Sequence, residues 1–387
     1  MSALTRSINV LGDLIAYPTV SSDSNLTMID DLAERLKDAG AQIDLYRDDT
    51  GHKANLYATI GPARAGGILL AGHTDVVPVT DQDWSCDPFV MTRQADRLFG
   101  RGTCDMKGFI AACVALAPEF ARHATHRPVH FAFTYDEETG CLGAQALTEH
   151  LAKRDDTPAM AIIGEPTEMR VIEGHKGCYE YCAHFHGREG HGSLPDEGVN
   201  AVEYAVRYVS RLLELREALK ARAPADSPFD PPHATINIGT LQGGIATNVI
   251  PGKARVNWEM RPVGAGDADF VKEGLATYIT DVLQPEMRAI WPDARIETEV
   301  IGEVMGLTPM SRNAARDLVM ALTGANSTDV VSFGTEAGIF QSLGMNALVC
   351  GPGSITQAHK PDEYLDITQL AACVEMLQGV AASLAKA

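Results

Sequence analysis

Leu4, Ile8, Leu11 and Ile15 recur at intervals of three and four residues, which places them on one face of a helix that Pro18 ends. Ile29, Leu32 and Leu36 repeat the pattern in a second helix that stops at Gly40. Short apolar runs at 42–46, 55–60 and 67–71 follow, and read as strands. Residues 109–122 and 144–153 carry helical spacing, and each precedes an apolar run, 129–134 and 160–164. Strands alternating with helices predict an α/β layer whose central sheet is largely parallel and flanked by helices.

The texture changes near Gly177. Residues 179–186 alternate like a half-exposed strand, 199–221 form a long amphipathic helix, and 235–241 and 254–260 read as paired strands. A helix over 267–283 and a strand over 296–300 complete the order β-α-β-β-α-β. Beyond Met305 the helix-then-strand pattern resumes at 311–323, 330–333 and 347–350. The expected organisation is one α/β domain, 1–178 with 302–387, interrupted by an inserted β-α-β-β-α-β domain at 179–301.

A chain of 387 residues with 45% hydrophobic residues is long enough for two cores. The net charge of -19 repels phosphate backbones, so nucleic acid is not an expected partner. The 8 cysteines, at 86, 104, 113, 141, 178, 182, 350 and 373, form no CxxC pair. They read as reduced thiols. The N-terminal segment lacks the apolar core of a signal peptide, and no run reaches the ~18 apolar residues of a membrane span. The expected location is cytoplasmic, with no membrane partner.

The informative residues sit where apolar runs end. LLAGHTDVVP places His73 and Asp75, GRGTCDMKG places Asp105, YDEETG places Glu137 and Glu138, IIGEPT places Glu165, and QAHKPDEY places His359. Loops after the carboxyl ends of strands are where sites assemble in α/β sheets. Singly, each residue also reads as ordinary loop chemistry or a turn cap. Together they put more acid at the ends of buried runs than can stay unpaired, because an unpartnered buried carboxylate costs several kcal/mol. Imidazoles with hard carboxylates and no cysteine pair suit zinc, cobalt or manganese, and the set is large enough for two ions with one bridging carboxylate. Asp75 shares a strand face with His73 and is positioned to accept its free ring N–H. Of the adjacent Glu137 and Glu138, one is expected to bind metal and the other to shuttle a proton.

Taken together, in this order and over nearly the whole chain, these motifs resemble the M20 metallopeptidase family of dizinc amidohydrolases. The resemblance implies that His73, Asp105 and Glu165 hold one ion, and that Asp105, Glu138 and His359 hold the other, zinc or cobalt in each. It implies a cis peptide after Asp105, Glu137 as general base and then acid, and Asp75 orienting His73. The inserted domain becomes a lid that makes a homodimer contact. In it, EGHGSLP points to His191 at the oxyanion, and TNVIPG and EMRP point to Asn248 and Arg261 at the substrate carboxylate.

FGTEAGIFQ and CGPGSITQAHKPDEYL look like the acetylornithine deacetylase branch of the family, where the desuccinylase branch has a GTSDAR-like segment and an H-x-x-NE ending. Both segments are expected at the cleft, with Glu336 facing the cationic δ-ammonium of ornithine. The implied substrate is an N-acyl amino acid, N2-acetyl-L-ornithine first, with N-succinyl-diaminopimelate and other N-acyl amino acids as alternatives. From other classes, a nucleotide-binding protein lacks GxGxxG or GxxxxGK[ST] opening a helix. A metal-free binding protein conflicts with every ligand position being filled.

Overall fold

The computed structural model describes residues 1–264 and 266–386. The chain forms two compact units: Met1–His175 with Leu307–Val331 and Thr335–Ala387, and Lys176–Gly306 with Ser332–Gly334.

The first unit is built on an eight-stranded sheet in the order 42–47, 54–60, 129–134, 68–73, 160–166, 346–351, 172–175, 329–331. Its four inner strands, Val129–Thr134, Ile68–His73, Met160–Pro166 and Asn346–Gly351, run parallel. All four are buried on both faces apart from Asn346. That is why they read as continuous apolar runs, where the edge strand Gln42–Arg47 mixes polar and apolar residues and buries none of them fully. Parallel neighbours require crossovers. Helices Lys107–Ala115 and Ala117–His123 lie between the strands 68–73 and 129–134 in sequence, and Leu142–Leu151 precedes 160–166.

Helix Ala3–Ile15 packs Leu11, Leu14 and Ile15 with no exposure, and Ser2 caps its N-terminus by accepting from Thr5 N–H. The closing helix Ile367–Ser383, absent from the sequence-based elements, buries Leu370, Leu377 and Val380. Strands Thr92–Gln94, Arg97–Phe99 and Tyr364–Asp366 form a small separate sheet, also unforeseen because each spans only three residues.

The second unit carries a four-stranded antiparallel sheet in the order 235–243, 253–261, 178–186, 295–304. One face packs Phe185, Val256 and Trp258 against Tyr208 and Leu212 of helix Ala201–Ala221. Helix Asp267–Tyr278 runs through a π turn, Ile279–Leu283, into Gln284–Ile290, so it is longer than its sequence pattern suggests. Pro285 lacks an amide hydrogen, and the turn before it widens so that Gln284 N–H reaches Ile279 O.

Gly164 shows how tightly the first sheet is pinned to its helices. A Cβ there would fall 1.9 Å from Phe109 Cγ in the buried helix Lys107–Ala115. Gly164→Ala must push strand and helix apart, and we expect it to lose at least about 2 kcal/mol of stability in urea unfolding. Wild-type stability would show that this contact is not a constraint.

Candidate metal centre

The parallel strands deliver the chemistry. His73 is the last residue of its strand, Glu165 lies near the end of the next, and Glu137 and Glu138 follow the strand on its other side. Asp105 lies in the run of turns at 101–106 before helix Lys107–Ala115, with a cis peptide to Met106. His359 comes from the loop after strand Asn346–Gly351.

Asp105 is the junction. Its Oδ1 lies 3.1 Å from His73 Nε2, and its Oδ2 lies 3.3 Å from His359 Nε2. Glu165 Oε1 is 3.7 Å from His73 Nε2, and Glu138 Oε2 is 3.1 Å from His359 Nε2. Among the described residues, His73, Asp105 and Glu138 present ligand atoms within 4.8 Å of one another, as do His73, Glu137 and Glu165. The structure thus brings together every residue expected to bind metal.

The electrostatics are those of negative charge in want of a cation. Burial pushes Glu137, Glu165 and Glu138 above the usual carboxylate range, and the charge of Asp105 adds to each. Hydrogen bonds to Asp105 and Glu138 push His359 up to about 10. Burial alone would lower His73, but bonding to Asp105 and Asp75 holds it raised. Glu165 Oε1 is buried with no hydrogen-bond partner. An orphaned carboxylate oxygen beside imidazole nitrogens, with no cysteine in either group, fits hard or borderline divalent cations.

Asp75 is buried beside His73 but makes a different contact from the one expected. His73 Nδ1 lies 2.9 Å from the backbone carbonyl of Asp75, and the carboxylate is farther, at 3.6 Å. The ring N–H therefore donates to the main chain, which leaves Nε2 for the centre. The Asp75 carboxylate instead accepts from Ser21 Oγ at 2.6 Å and from the backbone N–H groups of Glu137 and Glu138 at 3.1 and 3.3 Å. It holds the turn that carries both glutamates. Asp136, which the sequence left without a role, sits at φ 55° and pairs with Lys53 Nζ at 2.5 Å. Lys53 also donates to Ser21 O, so one ammonium ties the strand end to the segment supporting Asp75.

Glu336 of the GTEA segment does not face outward as expected, and Glu363 of the PDEY segment is buried as well. Glu336 and Glu363 are each only 1% exposed. Glu336 accepts from Thr134 Oγ1 at 2.5 Å, and burial pushes it up to about 7. An alternation of polar residues after a strand does not reveal that its acid turns inward.

His191, Asn248 and Arg261 belong to the second unit. His191 pairs opposite Val249 in a two-residue ladder, and Gly192 N–H donates to Asn248 O, so His191 and Asn248 are near neighbours and both exposed. Ser193 N–H donates to His191 Nδ1 at 3.2 Å, which places the proton of the neutral ring on Nε2. Arg261 is engaged by Glu259 Oε2 at 3.0 Å and by Ser332 O at 3.4 Å.

Comparison with known proteins bears on the family and the fold. Residues 69–383 match the model of peptidase family M20/M25/M40. The acetylornithine deacetylase of Klebsiella pneumoniae (strain 342) is 37% identical over 366 residues, covering 93% of this chain and 92% of that one. Among solved structures, the M20 family metallo-carboxypeptidase Sso-CP2 of Sulfolobus solfataricus superposes with a TM-score of 0.75 at 17% identity, covering 98% and 99% of the two chains. The YXEP protein of Bacillus subtilis, a dinuclear metal binding peptidase, gives 0.65 at 16% identity, covering 98% of each. At these identities the two structures speak to the fold.

The Lys53–Asp136 pair yields a quantitative expectation. Lys53→Met strands the buried Asp136 carboxylate and should cost about 2 kcal/mol in urea unfolding of metal-stripped protein. Adding Asp136→Asn removes the stranded charge, so the double variant should be more stable than the sum of the single losses implies. Strict additivity would show that the pair does not hold the turn.

Proposed function

The chain belongs to peptidase family M20/M25/M40, and we propose that it is a metal-dependent amidohydrolase that converts N2-acetyl-L-ornithine and water to L-ornithine and acetate. The observation that carries the reaction class is Asp105, whose two oxygens each face a different imidazole, with Glu137 alongside. The substrate assignment is supported by the 37% identity to an acetylornithine deacetylase over nearly the whole of both chains.

In this reading His73, Asp105 and Glu165 hold one divalent ion, and Asp105, Glu138 and His359 hold the other, zinc or cobalt. When bound, such ions polarise the scissile carbonyl and make water acidic enough to supply hydroxide near neutral pH. Glu137 takes the proton of the attacking water and returns it to the nitrogen of the leaving amine as the amide C–N bond breaks. Burial and the charge of Glu138 raise the affinity of Glu137 for a proton, which suits a base that must also act as an acid. Asp75 keeps Glu137 in place through its backbone N–H. His191, with its proton on Nε2, is the donor assigned to the oxyanion, and Asn248 and Arg261 are assigned to the substrate carboxylate. Arg261 must exchange its bond to Glu259 for that role. A homodimer through the second unit and a cytoplasmic location belong to the same reading. Among the described residues no helix is long and apolar enough to cross a membrane.

Glu137→Gln should keep both ions and lose about 10²–10⁴-fold in kcat. Turnover near that of the unaltered protein would remove Glu137 from the base role. On metal-loaded protein, kcat/KM for N2-acetyl-L-ornithine should exceed that for N-succinyl-diaminopimelate, N-acetylcitrulline and a dipeptide. A higher value for any of these would reassign the substrate and leave the reaction class standing.

A further inference from the structure

Of the six residues around the centre only His73 and Glu165 lie on strands; Glu137 and Glu138 lie on the turn that Asp75 holds, and Asp105 and His359 lie on turns of their own. His359 is the less secured. Its side chain is 52% exposed, against 7% for Asp105, and its backbone sits at φ 63°, in the left-handed region that non-glycine residues seldom occupy. Something outside the centre must hold this loop.

That support is a chain of hydrogen bonds running behind the site. Glu363 Oε1 accepts from the backbone N–H groups of Cys104 and Asp105, at 2.8 and 3.1 Å. Its Oε2 accepts from Arg101 Nη1 at 2.6 Å, and both side chains are at most 1% exposed. Arg101 Nη2 donates to Gln82 Oε1 at 2.7 Å, and Trp84 Nε1 donates to the same oxygen at 3.1 Å. With its oxygen held by two donors, the Gln82 amide has one orientation, and its Nε2 donates to His359 O at 3.0 Å. The chain therefore starts on the backbone of Asp105 and ends on the backbone of His359.

A fully buried ion pair repays little of its desolvation cost as stability. The consequence of Arg101–Glu363 lies in what its geometry fixes. The planar guanidinium presents one edge to Glu363 and another to Gln82, so it sets the spacing between the two loops. A lysine, a single flexible point charge, cannot hold both.

We propose that Gln82, Arg101 and Glu363 are positioning residues that hold Asp105 and His359 at the separation one of the two divalent ions requires, with Gln82 as the link to His359. This rests on the dimetal reading of the centre. Glu165 and His73 lie on strands of the sheet and receive no bond from the clamp, so the two ions respond unequally to its loss.

Gln82 is only partly buried, so Gln82→Met is suited to the test. Zinc affinities of both sites are measured by chelator competition, alongside the melting temperature of the metal-free protein. The expected result is an affinity loss of about 10- to 100-fold for one ion. The other ion should change by less than about 3-fold, with an unchanged metal-free melting temperature. Arg101→Lys should weaken the same ion. Unchanged affinities in Gln82→Met, or equal losses at both sites, would overturn the clamp. An unaltered protein that takes up fewer than two ions would remove the dimetal reading, and the clamp with it.

Discussion

Asp105 shared between His73 and His359 is the contact on which the rest of the centre depends. Around it, Glu137, Glu138 and Glu165 add carboxylates that burial pushes toward their neutral forms. Three acids and an aspartate gathered this closely repel one another, and imidazoles alone offset only part of that. The proposed pair of divalent cations would resolve the repulsion and give the orphaned Glu165 oxygen a partner. The same charge explains why the surroundings are so heavily tied down: the Asp75 carboxylate on the Glu137–Glu138 turn, Lys53 on Asp136, and Arg101 with Glu363 behind Asp105.

The fold makes that concentration possible. Parallel strands all end at one edge of the sheet, so residues far apart in sequence meet there. His73 and Glu165 lie at the ends of two adjacent strands and the Glu137–Glu138 pair follows a third, held in register by the ladders between 68–73 and its two neighbours. Close contacts such as Gly164 on Phe109 set the depth of the strand that carries Glu165. Cysteine contributes nothing to either ligand group, in keeping with hard and borderline ligands for the ions.

Much of this was legible in the sequence because apolar runs, helical spacing and strand-end acids are local signals. The α/β layer and the six residues about the centre could be read from motifs of a few residues each. What escaped was long-range or conformational. Glu363 meets Arg101 across 262 residues, and Lys53 meets Asp136 across 83, and no local pattern announces either pair. Asp75 was placed beside His73 correctly, but its carboxylate turns to Ser21 and the glutamate turn because the backbone carbonyl reaches the ring first. Glu336 was expected to face substrate, and it is buried against Thr134, since a polar residue after a strand gives no sign of which way it turns. The helix expected over 267–283 continues to Ile290, because a π turn at Ile279–Leu283 accommodates Pro285, which helical spacing alone does not reveal.

The central claim is that one carboxylate, Asp105, is shared by two cations. Anomalous diffraction from crystals of the zinc-loaded protein tests it directly. The account predicts two peaks about 3.5–4 Å apart, one on each oxygen of Asp105, with His73 beside the first and His359 beside the second. A single peak, or two peaks that do not share Asp105, would contradict it.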